Sequence, residues 1–110
     1  MIPTHFTELI TILTNSRNKD SIKWNRLSDD RYKLSTNKAT VEISRQLDEV
    51  NDEYYFLFSF FNVSLAKVIT FTISYGDADF ATMEQLFKEA ELSALNLRSS
   101  INDFINDIKV

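Results

Sequence analysis

An α+β domain is the fold class predicted for this chain, on three observations. Apolar residues recur at helical spacing at both ends, the middle alternates apolar and polar residues with period two, and the turns fall to Asn, Asp and Ser because there is one glycine and one proline. The expected layout is an N-terminal helix, a five-stranded antiparallel meander sheet and a long C-terminal helix. Both helices should pack mainly on one sheet face. At 110 residues, 44% hydrophobic and 25% charged, the chain suits one core and is short for two, so residues 1–110 read as a single domain.

Residues 3–16 read as the first helix. Pro3 suits a first turn, and Phe6, Leu9, Ile10 and Leu13 form one apolar face. The segment NSRNKDS breaks that pattern. Three amphipathic strands follow. SIKWNRL turns Ile22 and Trp24 inward, RYKLS turns Tyr32 and Leu34 inward, and ATVEISR turns Val41 and Ile43 inward. LDEVNDE reads as an acidic loop before YYFLFSFF and its partner LAKVITFTISY.

From Asp79, a natural N-cap, the period changes to helical. Met83, Leu86, Phe87, Ala90, Ala94, Leu97, Ile101, Phe104, Ile105 and Ile108 lie on one stripe. A continuous helix of ~30 residues would be ~45 Å long. Five strands span only ~24 Å. The helix therefore overhangs the sheet or breaks, and SSIND offers a break, with Ser100 capping the second part. The core assigned from these patterns is Phe6, Leu9, Ile10, Leu13, Trp24, Leu34, Val41, Ile43, Phe56, Phe58, Ile69, Phe71, Ile73, Leu86, Phe87 and Ile101.

YYFLFSFF is apolar on both faces apart from Ser59. An even-numbered turn around NVSL sets Phe56 opposite Ile69, Tyr54 opposite Phe71 and Phe58 opposite Lys67. Tyr54, Phe56, Phe58 and Phe60 then belong to the core. Tyr55, Leu57, Phe61, Ala66 and Val68 collect on the other face, which is wet over the first three strands. Such a patch reads as an interface, with a two-fold homodimer the first expectation, and cover by one helix or part of a bent C-terminal helix is the alternative.

Composition bounds the chemistry. No cysteine is present, so there is no disulfide framework and no thiolate chemistry. His5 is the only histidine, which leaves a zinc site without ligands. Each acidic pair falls in a predicted turn or helix start, where Asp serves the backbone. Gly76 alone makes no phosphate cradle, and no serine sits in a nucleophile motif. No catalytic residue, cofactor or metal is assigned, and the chain reads as non-enzymatic.

Net charge is -4, divided unevenly. Residues 1–46 hold eight basic and five acidic side chains, net +3, and the remainder four and eleven, net -7. The acidic balance argues against nucleic acid as partner. Lys23, Arg31 and Lys33 offer a surface for an acidic protein. No apolar run reaches the ~18 residues of a membrane span, and the start of the chain has no basic leader and carries Glu8 in its apolar region, so a cytoplasmic location is expected.

The function expected is a small acidic protein-interaction module, an adaptor, inhibitor or immunity-like or anti-defence protein of bacterial or phage type. In layout alone the chain is similar to specialised secretion chaperones, small acidic α+β dimers that bind an unfolded client. That class places a helix inside the strand series, where this chain has only LDEVNDE. A third reading is a ligand-binding or enzymatic domain with an aromatic pocket among Trp24, Tyr32, Tyr54 and Tyr75.

Overall fold

A computed structural model describes residues 1–15 and 23–109. The expected break at NSRNKDS beyond Asn15 and the strand position of Ile22 lie outside the described residues. A 3₁₀ turn at Thr4–Phe6 runs into α1 (Thr7–Thr14). Then come β1 (Asn25–Ser28), β2 (Arg31–Ser35), β3 (Ala39–Asp48), β4 (Glu53–Asn62) and β5 (Lys67–Ser74), and finally α2 (Phe80–Ala94) and α3 (Leu97–Lys109). The strands form one antiparallel sheet in the order β1-β2-β3-β4-β5, the predicted meander.

The core lies between one sheet face and the helices. Tyr32, Val41, Ile43, Phe56, Phe58 and Ile73 are buried on that face. Phe6, Ile10 and Leu13 from the N-terminal segment cover one part of it, and Met83, Leu86, Phe87 and Ala90 from α2 cover another. The α2 residues fall at the i, i+3, i+4, i+7 spacing that places them on one helical face. Phe6 meets Phe58, Phe60 and Phe71 with ring centroids 6.2, 5.6 and 5.7 Å away, and Phe87 meets Tyr32 edge-to-face at 5.3 Å. Trp24, just ahead of β1, is buried, and its backbone N–H donates to Ser93 Oγ of α2 at 3.1 Å.

The two long hairpins close in the same way. β3–β4 ends on Asp48 opposite Glu53, and the Asp48 carboxylate accepts the N–H of Val50 at 3.0 Å. β4–β5 ends on Asn62 opposite Lys67, and Asn62 Oδ1 accepts the N–H of Leu65 at 2.9 Å. Each four-residue turn finishes on a left-handed residue, Asp52 at φ 54° and Ala66 at φ 51°. An Asx side chain stands in for a backbone partner and fixes where the chain reverses.

That turn corrects the predicted register. Phe56 pairs with Ile73, Phe58 with Phe71 and Phe60 with Ile69, so each partner lies four residues from the expected one. The turn has an even number of residues, so the faces assigned by alternation hold. Tyr54, expected in the core, is 50% exposed at the sheet end. Ile69, also expected in the core, is exposed on the outer strand of the sheet.

The C-terminal helix breaks, but at Leu95–Asn96 and not at Ser99–Ser100. Asn96 adopts φ 54°, a conformation Asn tolerates and a helix interior does not. The N–H of Asn96 donates to Ser93 O at 3.2 Å, which closes the end of α2. The break redirects α3. Every described side chain from Ser99 to Lys109 is exposed, so Ile101, assigned to the core, lies outside it. The radius of gyration is 15.3 Å, against roughly 13 Å for a compact chain of this length, because α3 stands away from the body.

The start of the chain is tied to α2. Asp79 occupies the N-cap position, as expected, yet its carboxylate makes no capping bond to the helix. It accepts the N–H of Ile2 at 2.7 Å, while Asp77 takes the amino group of Met1. That amino group holds the Asp77 carboxyl below the usual carboxylate range, with the Asp79 N–H adding to the effect. Ile2 is thereby seated in the core.

Candidate interaction surfaces

The sheet face opposite the helices carries the predicted patch. Register places Thr40, Glu42, Ser44 and Gln46 beside Phe61, Ser59, Leu57 and Tyr55, and these beside Val68, Thr70, Thr72 and Ser74. Most of this face is closed by polar cross-strand pairs. Arg31 Nε donates to Glu42 Oε1 at 2.9 Å, Tyr55 OH to Gln46 Oε1 at 2.7 Å, and Ser59 and Thr70 hydroxyls lie 3.1 Å apart. Ser44 is buried beneath these neighbours.

The five predicted patch residues do not form one continuous surface. Phe61 and Val68 face each other across β4–β5 and are both exposed, Val68 at 61%. Tyr55 and Leu57 lie further along β4 and are half-buried. Ala66 sits in the turn, not on the strand face. The same turn presents Val63 and Leu65, both exposed, which strand alternation does not reach. The apolar surface is therefore concentrated at the β4–β5 tip.

A second apolar surface is α3. Ile101, Phe104, Ile105 and Ile108 are exposed at 50%, 64%, 40% and 67%. Their spacing makes one stripe, and the element they lie against in sequence and space is α2 alone among the helices and strands with substantial contact. Sequence spacing identifies such a stripe but says nothing of what covers it, and spacing alone does not separate Ile101 from a core position.

Of the basic residues, Arg31 and Lys33 share the open face, flanking Glu42, and Arg31 is ion-paired to it. Lys23 is elsewhere, at a shallow groove with Leu9, Ile12 and Leu34 on the helix side. The structure does not bring the three together.

Of the four aromatic residues considered for a pocket, Trp24 and Tyr32 are buried in the core. Tyr54 and Tyr75 line one open groove of about 410 Å³ with Phe80, Arg45 and the carboxylates of Asp52 and Glu84. Tyr75 packs edge-to-face on Phe80 at 5.4 Å. Among the described residues no three His, Cys, Asp or Glu side chains are grouped so as to hold a metal ion, and no helix is long and apolar enough to cross a membrane. The chain matches no protein-family model, no curated protein and no solved structure.

Proposed function

We propose that this chain is a non-enzymatic protein-interaction module, an adaptor or inhibitor that works by surface complementarity. The observation that carries the reading is α3, whose four large apolar side chains are 40–67% exposed on a helix that stands off the core. A 13-residue helix is marginal in water without tertiary packing. A groove on another protein that accepts Ile101, Phe104, Ile105 and Ile108 would supply that packing in the helix-in-groove mode. The polar side of α3 includes Asp103 and Asp107, which favours a protein groove over an anionic membrane surface. The β4–β5 tip, with Phe61 and Val68, is a second contact of the same kind.

The test uses the full chain. Amides of α3 should exchange quickly in the dilute purified protein and become protected when the partner is present. A photo-crosslinking residue at position 104 should yield one defined protein adduct in source cells, and Ile105→Asp should abolish it. Slow exchange across α3 in the dilute isolated chain, or no adduct at position 104, overturns the reading.

A second reading is favoured by the groove at Tyr54 and Tyr75. The Tyr75 and Phe80 rings with the carboxylates of Asp52, Glu53 and Glu84 suit a small organic cation, while Arg45 already lies over the Tyr54 ring. A thermal shift with a quaternary ammonium compound, lost in Tyr75→Ala, would support it.

A further inference from the structure

β5 is an outer strand, and it differs from the outer strand on the opposite side of the sheet. β1 has four residues, a register shift between Arg26 and Ser28, and a charged side chain within it. All of these discourage another strand from adding on. β5 has eight residues and an unbroken ladder to β4, with no charge from Val68 to Gly76. Val68–Ser74 is β-branched, aromatic and hydroxyl residues throughout, a composition that favours strand pairing. Among the described residues, no hydrogen bond outside the β4–β5 ladder reaches a backbone group from Val68 to Ile73. Val68, Ile69, Thr70 and Thr72 are exposed along this strand.

The sequence of this edge is the same in both directions. Ile69-Thr70-Phe71-Thr72-Ile73 is symmetric about Phe71. In an antiparallel pair of two copies centred there, Phe71 faces Phe71, Thr70 faces Thr72 and Ile69 faces Ile73. Val68 then faces Ser74, Lys67 faces Tyr75, and no like charges meet. Paired residues project to one side of the joined sheet. Phe71 therefore meets its counterpart on the helix side, and Ile69, 45% exposed in the single chain, lies beside the backbone of the partner's Ile73, whose side chain is buried in its own core. Thr70 and Thr72 form hydroxyl pairs on the open side.

We propose that β5 joins β5 of a second copy in a two-fold antiparallel pair centred on Phe71, giving one sheet of ten strands, five from each copy. The occupant is a second copy because the edge is complementary to itself, residue by residue. This surface is distinct from α3 and shares only Val68 with the β4–β5 tip, so this proposal and the α3 reading stand or fall separately.

The full chain should sediment at twice its mass of 12.8 kDa at micromolar concentration. Thr70→Lys with Thr72→Lys sets lysines against lysines across the pair. It should return the mass to 12.8 kDa with the circular dichroism spectrum unchanged, while Ile105→Asp should leave the doubled mass intact. The chain has no cysteine, so a Thr70→Cys/Thr72→Cys variant should form a covalent dimer on mild oxidation. Thr70→Cys alone should not, because two residues at position 70 are diagonal across the pair and too far apart to bridge. The crosslink decides the matter if the lysine variant fails to fold. A chain that stays single at all concentrations overturns the proposal. So does a dimer that survives the folded lysine variant, an absent crosslink, or a single chain that binds a foreign extended peptide at β5.

Discussion

Arg45 stacks on Phe87, its guanidinium carbon 5.0 Å from the ring centroid. Tyr54 lies at 5.1 Å from the same carbon, and the Arg45 Nη2 donates to Asp30 at 2.9 Å. A cation is thus held on the helix side of the sheet, where alternation along β3 would place an apolar residue. Arg45→Ala should destabilise the fold by about 1–2 kcal/mol through lost packing and lost cation–π contact. Arg45→Met should cost less, because its stem still fills the space between the rings. Urea denaturation measures both, and Asp30→Ala should cost under ~1 kcal/mol as an exposed partner.

The two sides of β4 should respond oppositely to charge. Phe56 is 1% exposed, so Phe56→Asp buries an unpaired carboxylate and should unfold the domain. Phe61→Asp places the charge at the exposed tip and should cost less than ~1 kcal/mol. Leu57→Asp should fall between them and leave the chain folded. Far-ultraviolet circular dichroism separates the three outcomes.

Left-handed positions give a third set. Ala66 at φ 51° carries a strain of ~1–2 kcal/mol that glycine does not. After the entropy that glycine adds to the unfolded chain, Ala66→Gly should stabilise by up to ~1 kcal/mol. At Asn96, substitution by glycine should be near neutral, whereas Asn96→Ala should cost ~1 kcal/mol or extend α2 into α3. Thermal melts report the stability, and an extended helix would raise the helical signal.

Tyr32 sets an alkaline limit. Burial raises the pKa of its phenol, with the charge of Glu91 adding to the effect. The folded state therefore keeps the proton at a pH where the unfolded chain has released it. Stability from this group is full below about pH 10 and is lost as pH rises through the folded value. Tyr32→Phe should flatten that decline in denaturation midpoints measured from pH 9 to pH 11.

Alternation made the meander and its two faces legible, because every even-numbered turn preserves parity. The partners of YYFLFSFF were not legible, since the turn position depends on which Asx side chain captures an amide, and Asn62 does so further along the chain than assumed. The helix break had a readable signal in Asn96, the residue type that most readily ends a helix in the left-handed conformation. The stripe from Met83 to Ile108 is continuous by spacing, but two backbone angles at Asn96 send half of it elsewhere. The β5 edge was present in the sequence as a symmetric pentapeptide; only strand order shows that no strand among the described residues pairs with its outer side.

The bond between Ile2 and Asp79 spans 77 positions in the chain, whereas each strand pairs only with its neighbour in sequence. Folding therefore has two tempos. The hairpins are local and can zip one after another as the chain emerges from a ribosome. Phe56 and Ile73 stay uncovered until α2, the next element after β5, has been synthesised, and Ile2 can reach Asp79 only then. During that interval the bare sheet face and the open β5 edge are presented together, so aggregation of this protein should depend on the speed of translation between Ser74 and Ala94.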